Sequence, residues 1–180
     1  MGFFQGYFSE LVERLSDSGQ ESLIEAADLL VATRETGRKA IVVGNGGSAA
    51  IASHVAIDLT KSAGIRTVNF NESSLLTCFA NDYGYDRWVD NALRLYADVG
   101  DLLILISSSG ESANIVNGAI KGASMGLKIF TLSGFEKDNR LRSIGDVNLW
   151  TDSHSYNVVE NVHQIWLLAI VDYLVANQAV

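Results

Sequence analysis

The sequence predicts an α/β protein: a doubly wound, five-stranded parallel sheet flanked by helices and preceded by two N-terminal helices. Three observations predict it. Five short apolar, β-branched runs recur after residue 38, and stretches with helical periodicity lie between them. The runs are continuously hydrophobic, as in strands buried on both faces, rather than alternating. Strand–helix alternation of this kind implies right-handed crossovers and a parallel sheet covered on both sides.

The elements follow in order. Phe4, Tyr7, Phe8, Leu11, Val12 and Leu15 recur at helical spacing, and Ser16-Asp17-Ser18-Gly19 punctuates the chain. A second helix is expected from Glu21 to Thr36, with Gly37 as its stop. Strands are expected at 40–43, 66–70, 102–106, 128–132 and 147–150. Helices are expected at 47–61, 73–80, 86–97, 112–125, 138–144 and 157–177. The chain thus divides into a helical extension, residues 1–37, and one structural unit, residues 38–180.

Composition narrows the function. The chain has 180 residues, a formal net charge of -8, 48% hydrophobic and 19% charged residues, and one Cys. Such a length suits one domain of about 100–200 residues, and the composition is that of a soluble globular protein. The acidic balance argues against a nucleic-acid partner, which needs clustered Lys and Arg. Lone Cys78 excludes an intrachain disulfide and a Cys-rich zinc site. The N-terminus lacks the basic region and unbroken apolar run of a signal peptide. The most apolar stretch, IWLLAIVDYLVA, is broken by Asp172, so no membrane span is expected. The expected location is the cytoplasm.

Two loops at strand ends carry the chemistry, since ligands of such sheets sit beyond the carboxyl ends of the strands. The first is Gly44-Asn45-Gly46-Gly47-Ser48. It has neither the Lys of a P-loop nor the spacing of a dinucleotide fingerprint. It reads equally as a tight turn or as a close backbone approach to a ligand. The second is Ser107-Ser108-Ser109-Gly110-Glu111-Ser112. One serine would cap the following helix; four hydroxyls at a helix N-terminus favour a phosphate ester held without Lys or Arg.

Strand–GNGGSAA–helix followed by strand–SSSGESANI–helix resembles the sugar isomerase (SIS) domain. FANDYGY, the TLSG turn and VVENVH extend the resemblance, within that family, to the phosphoheptose isomerases, which interconvert sedoheptulose 7-phosphate and mannoheptose 7-phosphate. The resemblance implies that Ser107, Ser109 and Ser112, with Ser108 close by, hold the sugar phosphate. It implies that Asn45, Gly46, Gly47, Asn81 and Asp82 contact substrate. It also implies a homo-oligomer, a tetramer or a dimer, with sites between subunits.

Aldose–ketose isomerisation moves a proton between adjacent carbons through an enediol, and needs a base and a polariser. Helical spacing puts His54 and Asp58 on one face, and Glu160, His163 and Gln164 on another. The resemblance makes His54, Asp58, Glu160 and His163 the catalytic candidates. Some members bind zinc with four residues at these helices, so zinc is the implied cofactor and His54, Asp58 and Glu160 the candidate ligands. Asp58 stands where the phosphoheptose isomerases carry glutamate, Glu160 at their glutamine, and Leu168 at their later histidine. That last departure keeps two alternatives open. One is a non-catalytic phosphosugar-binding regulator, like the replication-initiation regulator of this branch. The other is an isomerase for a different sugar phosphate.

Overall fold

The computed structural model describes residues 2–177. Seven α-helices and five strands alternate in it as expected: α1 (Phe3–Arg14), α2 (Gln20–Glu35), β1 (Ala40–Gly44), α3 (Gly47–Lys61), β2 (Thr67–Asn69), α4 (Ser73–Tyr83), α5 (Trp88–Tyr96), β3 (Leu102–Ser107), α6 (Ala113–Ser124), β4 (Lys128–Ser133), β5 (Val147–Trp150) and α7 (Tyr156–Ala176). A 3₁₀ turn, Tyr85–Arg87, precedes α5.

All strand pairs are parallel, in the order β2-β1-β3-β4-β5. The chain therefore winds outward from β1 in one direction and from β3 in the other. A crevice opens where the two directions part, at the carboxyl ends of β1 and β3.

Successive strand residues point to opposite faces, and each face has its own core. Val42, Ile104, Ile106, Phe130 and Leu132 pack under α2, α3 and α7. Ile41, Val43, Leu103, Leu105 and Ile129 pack under α5 and α6. The two leading helices belong to the first of these layers. Ala26, Ala27 and Leu30 of α2 are fully buried there, and Trp166 Nε1 donates to the Leu15 carbonyl (3.0 Å).

Two expectations need correction. No helix forms over 138–144. Asn139 is buried and spends its side chain on Ser133 Oγ, the Gly134 and Glu136 carbonyls and the Arg142 N–H, which displaces helical bonding. And α7 does have the length and apolarity of a membrane span, with a mean hydropathy of 1.3 over its most apolar window. Half of that window is buried, with Val158, Val162, Trp166 and Ile170 in the core, so the apolarity is spent on packing.

Candidate active site

The serine loop closes over the end of β3. Ser107 and Ser108 are buried, and Ser107 Oγ lies 3.3 Å from Ser112 Oγ. Gly110 turns the loop with φ 66°, and an added Cβ would meet Asn139 Oδ1 at 2.0 Å, so only glycine fits. The segment after β4 braces this turn from outside. Leu141 N–H donates to the Gly110 carbonyl (3.0 Å), and Arg140 clasps the Glu111 carboxylate through its backbone N–H and Nε at 2.7 and 2.6 Å. Those bonds hold the Glu111 carboxyl below the usual carboxylate range. Ser112 is the N-cap of α6 and makes no side-chain capping bond, which leaves its hydroxyl and the first helical N–H groups for a ligand.

Facing this loop across a cavity of about 100 Å³ are Asn45 and Ser48 from the β1 end, and Tyr156 and Glu160 from α7. Tyr156 is fixed by Phe135, ring edge to ring face at 4.9 Å. Glu160 also borders a second, open cleft of about 440 Å³ with Gly47, Ala50, Gln164 and Tyr7. It therefore stands between the serine loop and the open cleft. Gly47 makes room for it: an added Cβ there would lie 2.2 Å from Glu160 Oε2. Burial pushes the Glu160 carboxyl above its ordinary pKa, and no cation among the described residues offsets the shift.

Asn45 is held by a reciprocal amide pair. Its Nδ2 donates to Asn114 Oδ1, and its Oδ1 accepts in return from Asn114 Nδ2, both at 2.9 Å. Tyr85 Oη adds a third bond, donating to Asn45 Oδ1 at 3.1 Å.

The structure thus brings together Asn45, Ser107, Ser108, Ser109, Ser112 and Glu160, with Gly47 beneath the carboxylate. Gly46, at φ 55°, turns the chain into α3 and does not line the cavity. Asn81 and Asp82 lie exposed at the end of α4, bonded to each other (3.0 Å), and line neither space within one protomer.

His163 is displaced from its expected catalytic role. It is fully buried, its Nε2–H donates to the Ser133 carbonyl (3.1 Å), and desolvation lowers its pKa to about 4. It is a neutral core residue at neutral pH and lines neither space.

His54 is also committed. Gln164 Nε2–H donates to His54 Nδ1 (2.9 Å), which puts the imidazole proton on Nε2, 3.2 Å from Asp58 Oδ2. Both ring nitrogens of His54 are thus hydrogen-bonded within the protein, one to Gln164 and one to Asp58. The expected zinc ligands do not gather into one group: His54 and Asp58 lie together, Glu160 stands apart from them, and the position expected to supply a later histidine is Leu168, half-buried against the core. Among the described residues, no three His, Cys, Asp or Glu side chains group closely enough to hold a metal ion.

Residue types alone did not single out four contributors: Ser48, Tyr156, Tyr85 and Asn114. Three of them sit inside motifs already noted, GNGGSAA, FANDYGY and SSSGESANI. Tyr156 had no signal beyond its place at the start of the last helix.

Comparison with known proteins places these features in a family. Residues 3–134 match the SIS domain. The chain is similar to the phosphoheptose isomerase of Aliarcobacter butzleri, 34% identical over 160 residues, covering 86% of this chain and 84% of that one. It is similar to the phosphoheptose isomerase of Syntrophotalea carbinolica, 32% identical over 179 residues, covering 94% and 91%. Among solved structures, the phosphoheptose isomerase of Neisseria gonorrhoeae superposes with a TM-score of 0.87 at 26% identity, covering 95% of this chain and 94% of that one. The enzyme from Francisella tularensis gives the same TM-score at 22% identity, covering 96% and 94%, a likeness of fold.

Proposed function

The chain belongs to the SIS domain family, beside the phosphoheptose isomerases, and from that premise we propose that it is a phosphosugar isomerase acting on sedoheptulose 7-phosphate with Glu160 as its proton carrier. One observation carries this reading: four serine hydroxyls beside a helix N-terminus share a single cavity with a desolvated carboxylate.

The serine hydroxyls and the N-terminus of α6 hold the phosphate. Glu160 takes the proton from the carbon beside the carbonyl. The electrons of that C–H bond form the C=C bond of an enediolate, and the carbonyl π electrons move onto oxygen. Glu160 then returns the proton to the former carbonyl carbon, while the one remaining hydroxyl proton passes from the adjacent oxygen to the former carbonyl oxygen. The C=C electrons form the new C–H bond as the adjacent C–O becomes the new carbonyl. One carboxylate thus serves as base and acid, and its raised pKa suits both halves of the cycle.

Two further readings belong to this proposal. The exposed apolar face of α1 (Phe3, Phe4, Phe8 and Val12) supports a homo-oligomer, a tetramer on the family pattern. The substrate, a charged phosphate ester that does not cross membranes unaided, supports a cytoplasmic location.

The test is NMR of sedoheptulose 7-phosphate in D₂O with the purified protein, with and without chelator. Conversion with deuterium entering at C1 or C2 is expected in both, and is expected to disappear in Glu160→Gln. Saturable binding without exchange would instead identify a phosphosugar-binding regulator, an outcome favoured by Leu168. Activity confined to another sugar phosphate would move the substrate and keep the chemistry.

A further inference from the structure

An amide has one acceptor oxygen with two lone pairs, and two donor hydrogens. Counting them for Asn45 gives a definite remainder. Oδ1 accepts from Asn114 Nδ2 at 2.9 Å and from Tyr85 Oη at 3.1 Å, so both lone pairs are taken. One Nδ2 hydrogen goes to Asn114 Oδ1. One N–H remains, on a residue that lines the cavity beside the serine loop and Glu160. Asn45 therefore meets a ligand only as a donor.

What keeps it so lies outside the amide pair. If Asn45 and Asn114 both turned over by 180°, their two mutual bonds would survive, but Asn45 would present its oxygen to the cavity. Tyr85 opposes that. A phenol donates more readily than it accepts, because the ring draws on the oxygen lone pair. The hydroxyl therefore holds an oxygen, not an NH₂, at its end of the amide. Tyr85 is itself held: its turn follows Gly84 (φ 83°), and Asn117 Nδ2 of α6 donates to the Asp86 carbonyl at 2.8 Å. Asn114 lies one helical turn before Asn117, so α6 fixes both the buried amide and the turn that carries the phenol.

We infer that Tyr85 is a positioning residue that fixes Asn45 as a hydrogen-bond donor to the carbonyl oxygen that becomes the enediolate oxygen. This rests on the isomerase reading and adds the polariser that Glu160 alone does not supply. A donor aimed at developing negative charge strengthens in the transition state more than in the ground state. Loss of its alignment should therefore lower kcat and leave KM nearly unchanged.

The experiment compares wild type, Tyr85→Phe and Asn45→Asp in three measurements: kcat and KM for sedoheptulose 7-phosphate; affinity for a phosphorylated aldonohydroxamate, which mimics the enediolate; and affinity for the matching alditol phosphate, which has no carbonyl. For Tyr85→Phe the expected result is a fall in kcat of about 10–100-fold with KM within about 3-fold, a similar loss of hydroxamate affinity, and alditol affinity held within about 3-fold. Asn45→Asp, which reverses the polarity of the group, should lose more hydroxamate affinity than Tyr85→Phe and keep the phosphate contact. Equal losses on the two analogues, or an unchanged kcat and hydroxamate affinity in Tyr85→Phe, would overturn the assignment. A wild type that prefers the hydroxamate but turns nothing over would sink the isomerase reading alone, and the analogue comparison would still decide Tyr85.

Discussion

A carboxylate that takes a proton from carbon works best when it has lost some of its water, and Glu160 has lost enough to raise its pKa. The sign of the consequence is fixed by linkage. A folded state that binds a proton more tightly than the unfolded chain has that stability below the ordinary carboxylate range, and loses it as pH rises through the raised value. Glu160→Gln should therefore melt higher than wild type at neutral pH, with the difference closing on acidification. Its kcat should be about 10²–10⁴-fold lower. Thermal melts across pH check the first statement and steady-state rates the second; wild-type kcat itself should fall as pH drops through the raised pKa, because the base must be ionised. His163 gives the opposite slope. Its pKa of about 4 lies below that of an unfolded imidazole, so the unfolded chain gains a proton first and stability falls from about pH 6.5 to 4, by about 3 kcal/mol. His163→Gln should remove that component, seen as a shallower pH dependence of the urea midpoint than wild type. Parallel curves would mean that the imidazole is accessible. The two residues also mark what was legible at this scale. Four serines in one loop exceed what a cap needs, so a cavity lined by their hydroxyls could be read from residue types. Glu160 and His163 share a helical face by spacing, and only the stripe Val159, Val162, Trp166 and Ile170, buried around His163, separates the core histidine from the carboxylate at its border.

At the level of elements, strands and most helices followed from hydrophobic runs: β1, β3 and β4 are buried along nearly their whole length and read as continuous apolar runs, while the edge strands β2 and β5 are only partly buried. The segment 138–144 did not, since its fold is decided by one buried amide rather than by periodicity. Asn139 Nδ2 donates toward three acceptors and its Oδ1 accepts from the Arg142 N–H, and no pattern of apolar residues announces that. The bracket has a function, because it holds the turn at Gly110. Asn139→Ala should cost about 2–4 kcal/mol in urea unfolding, from several buried bonds left unmade, and should weaken inorganic phosphate binding by calorimetry. Loss of stability with phosphate affinity intact would show that the loop stands without its brace. The contact of α3 with α7 is open to a similar test. Gly47→Ala places a methyl where Glu160 now lies. The carboxylate must move, and kcat should fall about 100-fold for a displacement near 1 Å. A compensating shift of α7 would instead leave kcat near wild type, and single-turnover rates on the folded variant distinguish the two.

For the molecule as a whole, strand order decides where chemistry can occur. With β1 and β3 adjacent and the chain leaving them in opposite directions, both glycine- and serine-rich loops open into one crevice. The helices packed under one face of the sheet add the rest, and α1 links the crevice to the surface. Its Tyr7, Leu11 and Leu15 pack against the core, and Tyr7 Oη accepts from Asn161 Nδ2 (3.1 Å) at the edge of the Glu160 cleft. Its other face carries Phe3, Phe4, Phe8 and Val12, between 58% and 79% exposed. A run of aromatic rings in water on one helix face, none of it buried within the protomer, is an interface composition. Phe4→Ser with Phe8→Ser should therefore shift the protein, by sedimentation velocity, from a multiple of 19.5 kDa toward the single-chain mass. Because the same helix presents Tyr7 to the cleft, the change in mass should bring a loss of turnover, while phosphate affinity at the β3 loop stays near wild type. Wild-type protein that sediments as a single chain would show that α1 meets no second copy, and the aromatic face would then need another partner.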